Sequence, residues 1–596
     1  MAAPAPSLGR KLLFSAIVTA IVLFLFAGSL ELILRAINYG HSPHFARRAT
    51  LPSGEAVWRE NRWCTAPYFS PQLVRRPQPF RLPAKKAPNT YRIFVLGSSA
   101  AMGDPEPSFS FARVLESMLR AAYPDLHFEI VNAAITAINS HVVRGIADDC
   151  ARLEPDLFVI YEGHNEVIGP FGPAGVFTPF LRSPAAIRFA AALKTSRSGQ
   201  LTTALTRRIS DDKPLTEWRG MQMFLGQQIA FDDARLGAVR ENFRANLRHI
   251  ATTATDAGAR TFLCTVVTNQ RDFAPFLSLH RRDLSPESLL RWKQHFESAQ
   301  AAERTNDLAT AESNYRAALA IDDHHAELHF RLGRLLLRLE RPADARGQLQ
   351  RALDFDALRF RTDSALNQII RDLATEPLPN VELVDLASSL AQRSEAGLPG
   401  DDFLYEHVHL TFRGAYEIAR DLFAHISTDL ARRQLISSAA REPFSYDEAR
   451  IRLAYTTHEQ AMIALELVNR FRSPPFTAQI DHHYRLQTWQ RRAESANTLL
   501  ARPEALPALH ALYQRAIAAV PDDWILARNA GSLLVTRRAP ADALPLLERA
   551  AAWIDDDPDT LLALAWAHRA LDHPDRAETF FNRARALEPH YPGLPQ

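Results

Sequence analysis

Five short apolar runs alternate with helical patterns between residues 92 and 386, and this alternation constrains the fold more than any other feature. The runs read RIFVLG (92–97), FEIVNA (128–133), LFVIYEG (157–163), TFLCTVVT (261–268) and VELVDL (381–386). Helical patterns occupy Phe111–Tyr123, Ser140–Leu153 and Leu236–Ala257. Buried strands that alternate with helices predict an α/β fold with a doubly wound, parallel, five-stranded sheet. In such a sheet, sites form at the carboxyl ends of the strands.

Two other regions repeat with a period of 34 residues. The matching positions are Ala311, Tyr315 and Ala318 with Ala345, Leu349 and Ala352, and Ala543, Leu547 and Ala550 with Ala577, Phe581 and Ala584. Small residues there let paired helices approach closely. The pattern resembles the tetratricopeptide repeat (TPR), a helix–turn–helix unit, over about 298–356 and 505–592. Solenoid faces commonly bind proteins, so a protein partner on the repeats is one expectation and an array without a ligand is the other.

The N-terminal segment has the composition of a membrane anchor. Leu12–Leu30 carries no charge, and nineteen residues in a helix span about 28 Å, the thickness of a hydrocarbon core. Arg10 and Lys11 precede it, which predicts a cytoplasmic N-terminus and a periplasmic or otherwise extracytoplasmic chain. A cleaved signal peptide is the alternative, but its apolar region is normally shorter and ends in an A-x-A-like site.

Charge and cysteine content exclude several classes of protein. The chain has 69 Lys and Arg against 67 Asp and Glu, a net charge of +2, so it lacks the basic excess expected of a nucleic-acid-binding protein. Its cysteines, Cys64, Cys150 and Cys264, are too few and too dispersed for a disulfide framework or a zinc site, although one pair could bridge. We therefore expect no nucleic acid, no metal and no cofactor.

Polar residues with catalytic potential follow four of the predicted strands. The four segments are Gly97-Ser98-Ser99 after the first strand, Asn132–Ser140 after the second, Gly163-His164-Asn165-Glu166 after the third, and Glu406-His407-Val408-His409 beyond the fifth. A serine on a strand-to-helix turn, an asparagine amide and a carboxylate three residues before an imidazole are the groups of a serine hydrolase site. Singly, each has an ordinary explanation as a tight turn, a capping asparagine or a loop histidine. His407 and His409 alone would make a poor zinc site.

Taken together, the four segments resemble the SGNH/GDSL hydrolase family. Its blocks read G-D-S, a central Gly, G-x-N-D and D-x-x-H, in the same order along a doubly wound sheet. The resemblance covers roughly 88–170, 258–275 and 378–425. The whole chain looks like a membrane-anchored bacterial type of SGNH protein that carries TPR repeats.

The resemblance implies a role for each matching residue. Ser99 would be the nucleophile, His409 its base and Glu406 the acid that orients the base. The oxyanion hole would comprise the N–H groups of Ser99 and Ala137 and the side chain of Asn165.

Three of these positions depart from the family pattern. Ser98 replaces the usual Asp and so competes with Ser99 for the role of nucleophile. Ala137 replaces Gly, so its N–H can donate only if the added Cβ is tolerated. Glu406 replaces Asp, and its extra methylene changes the reach toward His409.

Further residues near the strand ends are expected to line the substrate pocket. They are Gly163 and His164 after the third strand and Asn269 and Arg271 after the fourth. For Asn269 and Arg271, an equally good interpretation is that their hydrogen bonds fix a long loop.

These features together predict an envelope esterase that hydrolyses an ester, such as O-acetyl on a glycan, through an acyl-enzyme on Ser99. An O-acyltransferase acting on a cell-surface polymer, or a TPR scaffold with an inactive hydrolase fold, are the alternatives. The expected domains are an anchor (1–40), a hydrolase domain in two parts (41–287 and 359–430), inserted repeats (288–358), a helical connector (431–500) and C-terminal repeats (501–596).

Overall fold

The computed structural model of the protein describes residues 8–209, 217–436, 441–588, 591 and 593–595. Residues 1–7 of the predicted cytoplasmic tail lie outside the described residues. The strands are β1 (Ala46–Thr50), β2 (Ala56–Glu60), β3 (Arg81–Pro83), β4 (Thr90–Gly97), β5 (His127–Asn132), β6 (Leu157–Tyr161), β7 (Arg260–Cys264) and β8 (Val381–Val384).

The helices are α1 (Leu8–Ala36), α2 (Ser99–Met102), α3 (Phe111–Ala122), α4 (Ser140–Cys150), α5 (Pro184–Thr195), α6 (Arg197–Ile209), α7 (Arg235–Asp256), α8 (Pro286–Arg304), α9 (Leu308–Ile321), α10 (Ala326–Arg338), α11 (Pro342–Asp354), α12 (Ser364–Ala374), α13 (Leu386–Arg393), α14 (Phe412–Arg432), α15 (Tyr446–Arg452), α16 (Thr457–Phe471), α17 (His482–Leu500), α18 (Ala505–Ala519), α19 (Trp524–Thr536), α20 (Pro540–Trp553), α21 (Pro558–Ala570) and α22 (Pro574–Leu587).

The five predicted strands form one parallel sheet, which confirms that part of the expected fold. They are β4 to β8, in the spatial order β5-β4-β6-β7-β8. Numbered along the chain this is 2-1-3-4-5, one of the two common doubly wound orders. The order reverses between β4 and β6, so the crevice for a ligand is expected above the carboxyl ends of these two strands.

Both faces of the sheet are buried, because successive side chains of β4 point to opposite cores. Ile93 and Val95 belong to the core that contains α3 and α14, whereas Phe94 and Leu96 belong to the core that contains α4 and α7. A strand that is buried on both faces reads as a continuous apolar run rather than an alternating one. This is why the five strands are visible in the sequence.

A second, three-stranded antiparallel sheet precedes the parallel one and was not predicted. Its order is β1-β2-β3, and β2 is the central strand. β1 contains Arg47 and Arg48 and β2 contains the buried Arg59, so the alternation of apolar and polar residues is short and weak. The three cysteines, all described and buried, are unpaired.

Between β7 and β8 the chain inserts two helical hairpins, α8–α9 and α10–α11. Gly333 of α10 lies directly against Leu349 of α11, since a Cβ on Gly333 would be 2.6 Å from the Leu349 Cγ. Gly531 of α19 contacts Leu547 of α20 in the same way, at 2.5 Å. As the sequence predicts, the small residues of the 34-residue period allow paired helices to pack in close contact.

The C-terminal helices α18–α22 fold back onto the sheet domain. Arg113 of α3 pairs with Asp523, and Arg59 of β2 pairs with Asp555 at 2.6 Å and with Asp556. The connector helices α15–α17 lie between α14 and these repeats, and α16 reaches the carboxyl edge of the sheet. Its contacts there are described below.

The N-terminal helix α1 is apolar and almost unburied. Leu12–Ala36 has a mean hydropathy of 2.5, and 6% of its apolar window is buried. Near its end, Glu31 accepts hydrogen bonds from the N–H groups of Arg197 (3.1 Å) and Ser198 (2.9 Å) at the start of α6. A single exposed apolar helix of this length is compatible with membrane anchoring.

Candidate active site

The structure brings Ser99, His409 and Glu406 together at the carboxyl edge of the parallel sheet. Ser99 is the first residue of α2, directly after β4, and its Oγ lies 2.9 Å from the His409 Nε2. The other ring nitrogen of His409, Nδ1, hydrogen-bonds the Glu406 Oε1. The three candidate residues thus form one chain of hydrogen bonds, which is the arrangement that a serine hydrolase triad requires.

The turn between β4 and α2 orients Ser99 and Ser98 differently. A Cβ on Gly97 would lie 2.2 Å from the Tyr161 carbonyl oxygen of β6, so only glycine allows this approach. The next residue, Ser98, is 1% exposed and does not line the cavity. Ser99, in contrast, lines the cavity and contacts His409. This geometry favours Ser99 over Ser98 as the nucleophile.

A short, tightly bonded loop holds His409 and Glu406 before α14. The Tyr405 N–H donates to the His409 carbonyl oxygen at 2.8 Å, and the Val408 N–H donates to the Glu406 Oε2 at 3.2 Å. Glu406 is fully buried; burial opposes its charged form, but the adjacent His407 and His409 outweigh it and hold its pKa well below the usual range. Glu406 is therefore a permanent carboxylate beside the His409 imidazole.

A second carboxylate, Asp104, lies 3.2 Å from the His409 Nε2 and was not predicted. Its own Oδ1 accepts a hydrogen bond of 2.9 Å from Arg470 of α16. Burial of His409 opposes its charged form, but Glu406 and Asp104 outweigh it and raise the pKa of His409. The nitrogen that would take the serine proton thus has a fixed anion beside it.

Asp104 and Arg470 have no clear signal in the sequence. Asp104 belongs to the Gly103-Asp104-Pro105 turn, five residues after Ser99. Aspartate is common in turns, so its presence there does not indicate a catalytic role. Arg470 is 366 residues further along the chain, within the connector. Only the position of α16 shows that the connector supplies one wall of the candidate site.

The backbone of Ala137 has the left-handed conformation that glycine adopts most easily. Its φ is +60°, and the residue lines the cavity beside Ser99. The structure thus accommodates the Cβ at the position where the SGNH pattern has Gly. The Ala137 N–H makes no hydrogen bond with any described residue, so it is available as a donor.

Asn165 is the third candidate oxyanion donor and is held in place through its own amide. Its Nδ2 donates one hydrogen bond to the Ile138 carbonyl oxygen at 2.9 Å, which leaves the second N–H for the cavity. Glu166 connects the same two loops, because its carboxylate accepts hydrogen bonds from the Ser140 N–H (2.8 Å) and Oγ (2.7 Å). Burial raises the pKa of Glu166 to about 7.

The cavity at the candidate triad has a volume of about 500 Å³, which is within the usual range for small-molecule sites. Trp218–Phe224 forms one side and Asn469–Phe476 forms another. Ile168 and Phe360 add apolar surface from the sheet domain. The cavity therefore accommodates a body larger than an acetyl group.

Four residues expected in the substrate pocket lie outside the lining of this cavity. Gly163 approaches Thr362, and the His164 Nδ1 hydrogen-bonds the Thr362 Oγ1 at 3.0 Å. Asn269 donates to Asp401 at 2.7 Å, and Arg271 binds Asp272 and Asp402 at 3.0 and 3.2 Å. For Asn269 and Arg271, these contacts correspond to the alternative in which they fix a loop.

No group of three or more His, Cys, Asp or Glu side chains that could hold a metal ion occurs among the described residues. His407, the partner in the alternative metal pair, is 4% exposed and packs among Phe273, Phe276 and Phe360. Its Nδ1 also contacts the Glu406 Oε2, so His407 is a buried side chain that pairs with the carboxylate of the candidate triad.

Comparison with known proteins identifies the repeats. A tetratricopeptide repeat family model matches residues 304–369 and 534–592, so the chain contains TPR repeats in both helical regions. The first match extends into α12, which lies beside β8 in the sheet domain. No match was found among curated proteins. A solved structure described as the P58(IPK) TPR domain aligns at 12% identity over 50% of this chain and 92% of that one, with a TM-score of 0.14. A TM-score this low does not support any conclusion about the fold.

Proposed function

We propose that this protein is a membrane-anchored serine esterase of the SGNH/GDSL type that works in the cell envelope. The observation that carries the proposal is the Ser99 Oγ to His409 Nε2 distance of 2.9 Å, with Glu406 on the opposite ring nitrogen. The order of the sequence blocks along a doubly wound sheet supports the family assignment.

The reaction would proceed through an acyl-enzyme. The Ser99 Oγ attacks the ester carbonyl carbon while its proton passes to the His409 Nε2. The negative oxygen that forms is stabilised by the N–H groups of Ser99 and Ala137 and by the Asn165 amide. As the first residue of a helix, Ser99 has no intrahelical acceptor for its N–H, so that donor is available.

Collapse of this intermediate breaks the ester C–O bond, and His409 returns its proton to the leaving alkoxide. Water then attacks the acyl carbon, His409 takes the proton of the water, and the Ser99 oxygen leaves with that proton as the acid is released. Glu406 stabilises the imidazolium in both halves of the reaction.

An O-acyltransferase is the second candidate, because the cavity volume of about 500 Å³ leaves room for a sugar acceptor between Trp218 and Phe476. The sugar part of a glycan ester would use the same space in a hydrolase, so the volume allows both reactions. A non-catalytic TPR scaffold is the third candidate, since TPR repeats are typical protein-binding modules.

Fluorophosphonate labelling of the full chain in detergent, read by peptide mass spectrometry, tests the catalytic assignment. We expect the label on Ser99, loss of ester turnover by several orders of magnitude in Ser99→Ala and His409→Ala, and a double variant little worse than either. Ser98→Ala should have a mild effect, and Glu406→Gln should retain part of the turnover. A label on Ser98, or full turnover by Ser99→Ala, would contradict the assignment. Release of the alcohol of the donor ester only when a glycan acceptor is added, with the acetyl group recovered on the glycan, would favour the transferase.

The location in the envelope rests on α1 and the basic residues before it. We expect a C-terminal periplasmic reporter to be active and a cytoplasm-specific reporter at the same place to be silent. Moving Arg10 and Lys11 to the other end of the apolar run provides the control, because it should weaken this orientation. An active cytoplasmic reporter in the native chain would disprove the topology.

A further inference from the structure

Arg75 differs from the other two arginines that line the catalytic cavity, Arg219 and Arg470. Arg470 pairs with Asp104 and, at 2.9 Å, with Glu466, and Arg219 pairs with Glu217 at 2.9 Å. Arg75 forms no ion pair with any residue that the structure describes. It is a cation in the cavity wall without an anion.

The guanidinium of Arg75 is nevertheless held in place. Its Nε donates to the Thr136 Oγ1 at 2.8 Å, and its central carbon lies 4.4 Å from the centre of the Trp218 ring. The backbone is fixed as well, since the Arg75 N–H and carbonyl both bond the Thr65 hydroxyl, at 3.0 and 2.6 Å. The two terminal NH₂ groups make no hydrogen bond within the described part of the chain.

A stacked guanidinium with its NH₂ groups free matches the geometry of a carboxylate, which it binds through two parallel hydrogen bonds. Burial lowers the pKa of Arg75, but an arginine side chain stays charged at physiological pH. The side chain is half-buried, and Glu588 and Asp104 act on its charge only through space, since neither forms an ion pair with it among the described residues. Asp104 instead pairs with Arg470, so a bound carboxylate would supply the direct partner that Arg75 lacks.

Arg75 lies close to the place where the reacting ester would bind. Its partner Thr136 directly precedes Ala137, the candidate oxyanion donor, so Arg75 lies on the oxyanion side of the cavity. We propose that Arg75 binds a carboxylate of the substrate, so that the preferred substrates are esters that carry a second, anionic group. This inference rests on the proposed esterase activity at Ser99.

Two matched pairs of esters test the proposal with the full chain in detergent. In 3-acetoxybenzoate and 3-acetoxybenzamide the charge lies on the alcohol part, and in mono-4-nitrophenyl glutarate and its primary amide it lies on the acyl part. We expect the carboxylate to be preferred in at least one pair, with a kcat/KM ratio of about ten or more. In Arg75→Gln that ratio should fall to about one, and in Arg75→Lys it should be intermediate, since lysine keeps the charge without the planar fork.

Arg76→Gln is the matched control, because it removes the same charge from the adjacent residue, which faces Glu588 outside the catalytic cavity. Its ratio should equal that of the unmodified chain. Binding without turnover gives an independent measurement: in the pair where the carboxylate is preferred, Ser99→Ala should bind that ester more tightly than its amide by calorimetry, and adding Arg75→Gln should abolish the difference.

The possible outcomes separate the two proposals. Fluorophosphonate labelling of Ser99 together with a ratio of one or less in both pairs would overturn the role of Arg75 and leave the esterase intact. A ratio that Arg75→Gln does not change would also overturn it. Absence of any Ser99 label, with no turnover of either pair, would reject the esterase and with it this inference.

Discussion

His409 contacts two carboxylates, Glu406 at Nδ1 and Asp104 near Nε2, and the second changes what is expected of its protonation. A general base must be neutral to accept the Ser99 proton. Because the two anions raise the pKa of His409, turnover should fall on the acid side at a higher pH than for an isolated imidazole.

Asp104→Asn should therefore shift the acidic limb of the pH–kcat/KM profile to lower pH. The substitution removes an anion that raises the pKa of His409, and it leaves the positive charge of Arg470 nearby, which lowers that pKa further. The measurement is ester hydrolysis across pH 5–9 at constant ionic strength. Asp447→Asn on the outer face of α15 makes the same change of charge and should leave the limb in place. A shift to higher pH in Asp104→Asn would show that Asp104 does not act through the His409 charge.

The inserted hairpin α10–α11 depends on a glycine at its closest contact. The period of 34 predicts small residues where helices cross, and the structure places Gly333 against Leu349 and Gly531 against Leu547. The inserted repeats also pack on the sheet domain, since Phe330 and Leu349 share a small core with Ala274 and Leu398. Replacing the repeats by a flexible linker would uncover this core, so the insertion is expected to contribute to stability.

Gly333→Ala should lower the unfolding midpoint, whereas Gly347→Ala, on α11, should raise it slightly. The added Cβ at Gly333 would overlap Leu349, and overpacking of this kind costs about 1–3 kcal/mol. At Gly347 a Cβ meets nothing within 4 Å, so the higher helix propensity of alanine is gained, up to about 1 kcal/mol. Thermal unfolding followed by circular dichroism checks both. Equal shifts of the same sign would mean that the contact of Gly333 with Leu349 is not tight.

At the scale of the whole molecule, ion pairs attach the C-terminal repeats to the small antiparallel sheet and to α3. Arg59 is 7% exposed and pairs with Asp555 and Asp556, which precede α21. Arg81 stacks on Trp553 at 4.5 Å. These contacts join the two ends of the folded chain across the sheet domain.

Arg59→Ala should loosen the attachment of α20–α22, because it leaves Glu60 and Asp556 close together without their shared cation. Removing one partner of a largely buried ion pair, here Arg59 with Glu60, costs about 3 kcal/mol. Hydrogen exchange in α20–α22 should accelerate, while exchange in β4–β7 should not change. Arg48→Ala on the exposed face of β1 is the control and should have no effect. Unchanged exchange in Arg59→Ala would show that other contacts hold the repeats.

The strands, the repeat period and the apolar N-terminal helix were predictable because each depends on residues that are close in sequence. A strand buried on both faces is mostly apolar, as Ile93–Leu96 of β4 and all of β6 are, and a pair of closely packed helices repeats its small residues. Ser99, Asn165 and His409 could be grouped for a related reason: in a doubly wound sheet the chain order predicts which strand ends are neighbours. The hydrolase chemistry itself stays a prediction.

Only the tertiary structure decided the contacts between segments that are distant in sequence, because packing determines which of these segments lie next to each other. Asp104 meets Arg470 across 366 residues, because α16 packs onto the carboxyl edge of the sheet, and no local pattern encodes that position. Asn269 and Arg271 follow a strand as expected, yet the acids of the 401–402 turn bind their side chains and hold them outside the cavity. The wall that contains Arg75 and Trp218 likewise exists only in the folded chain. The sequence can assign polar groups to one edge of a sheet. The direction of each side chain depends on which hydrogen-bonding partner the tertiary fold places within reach of it.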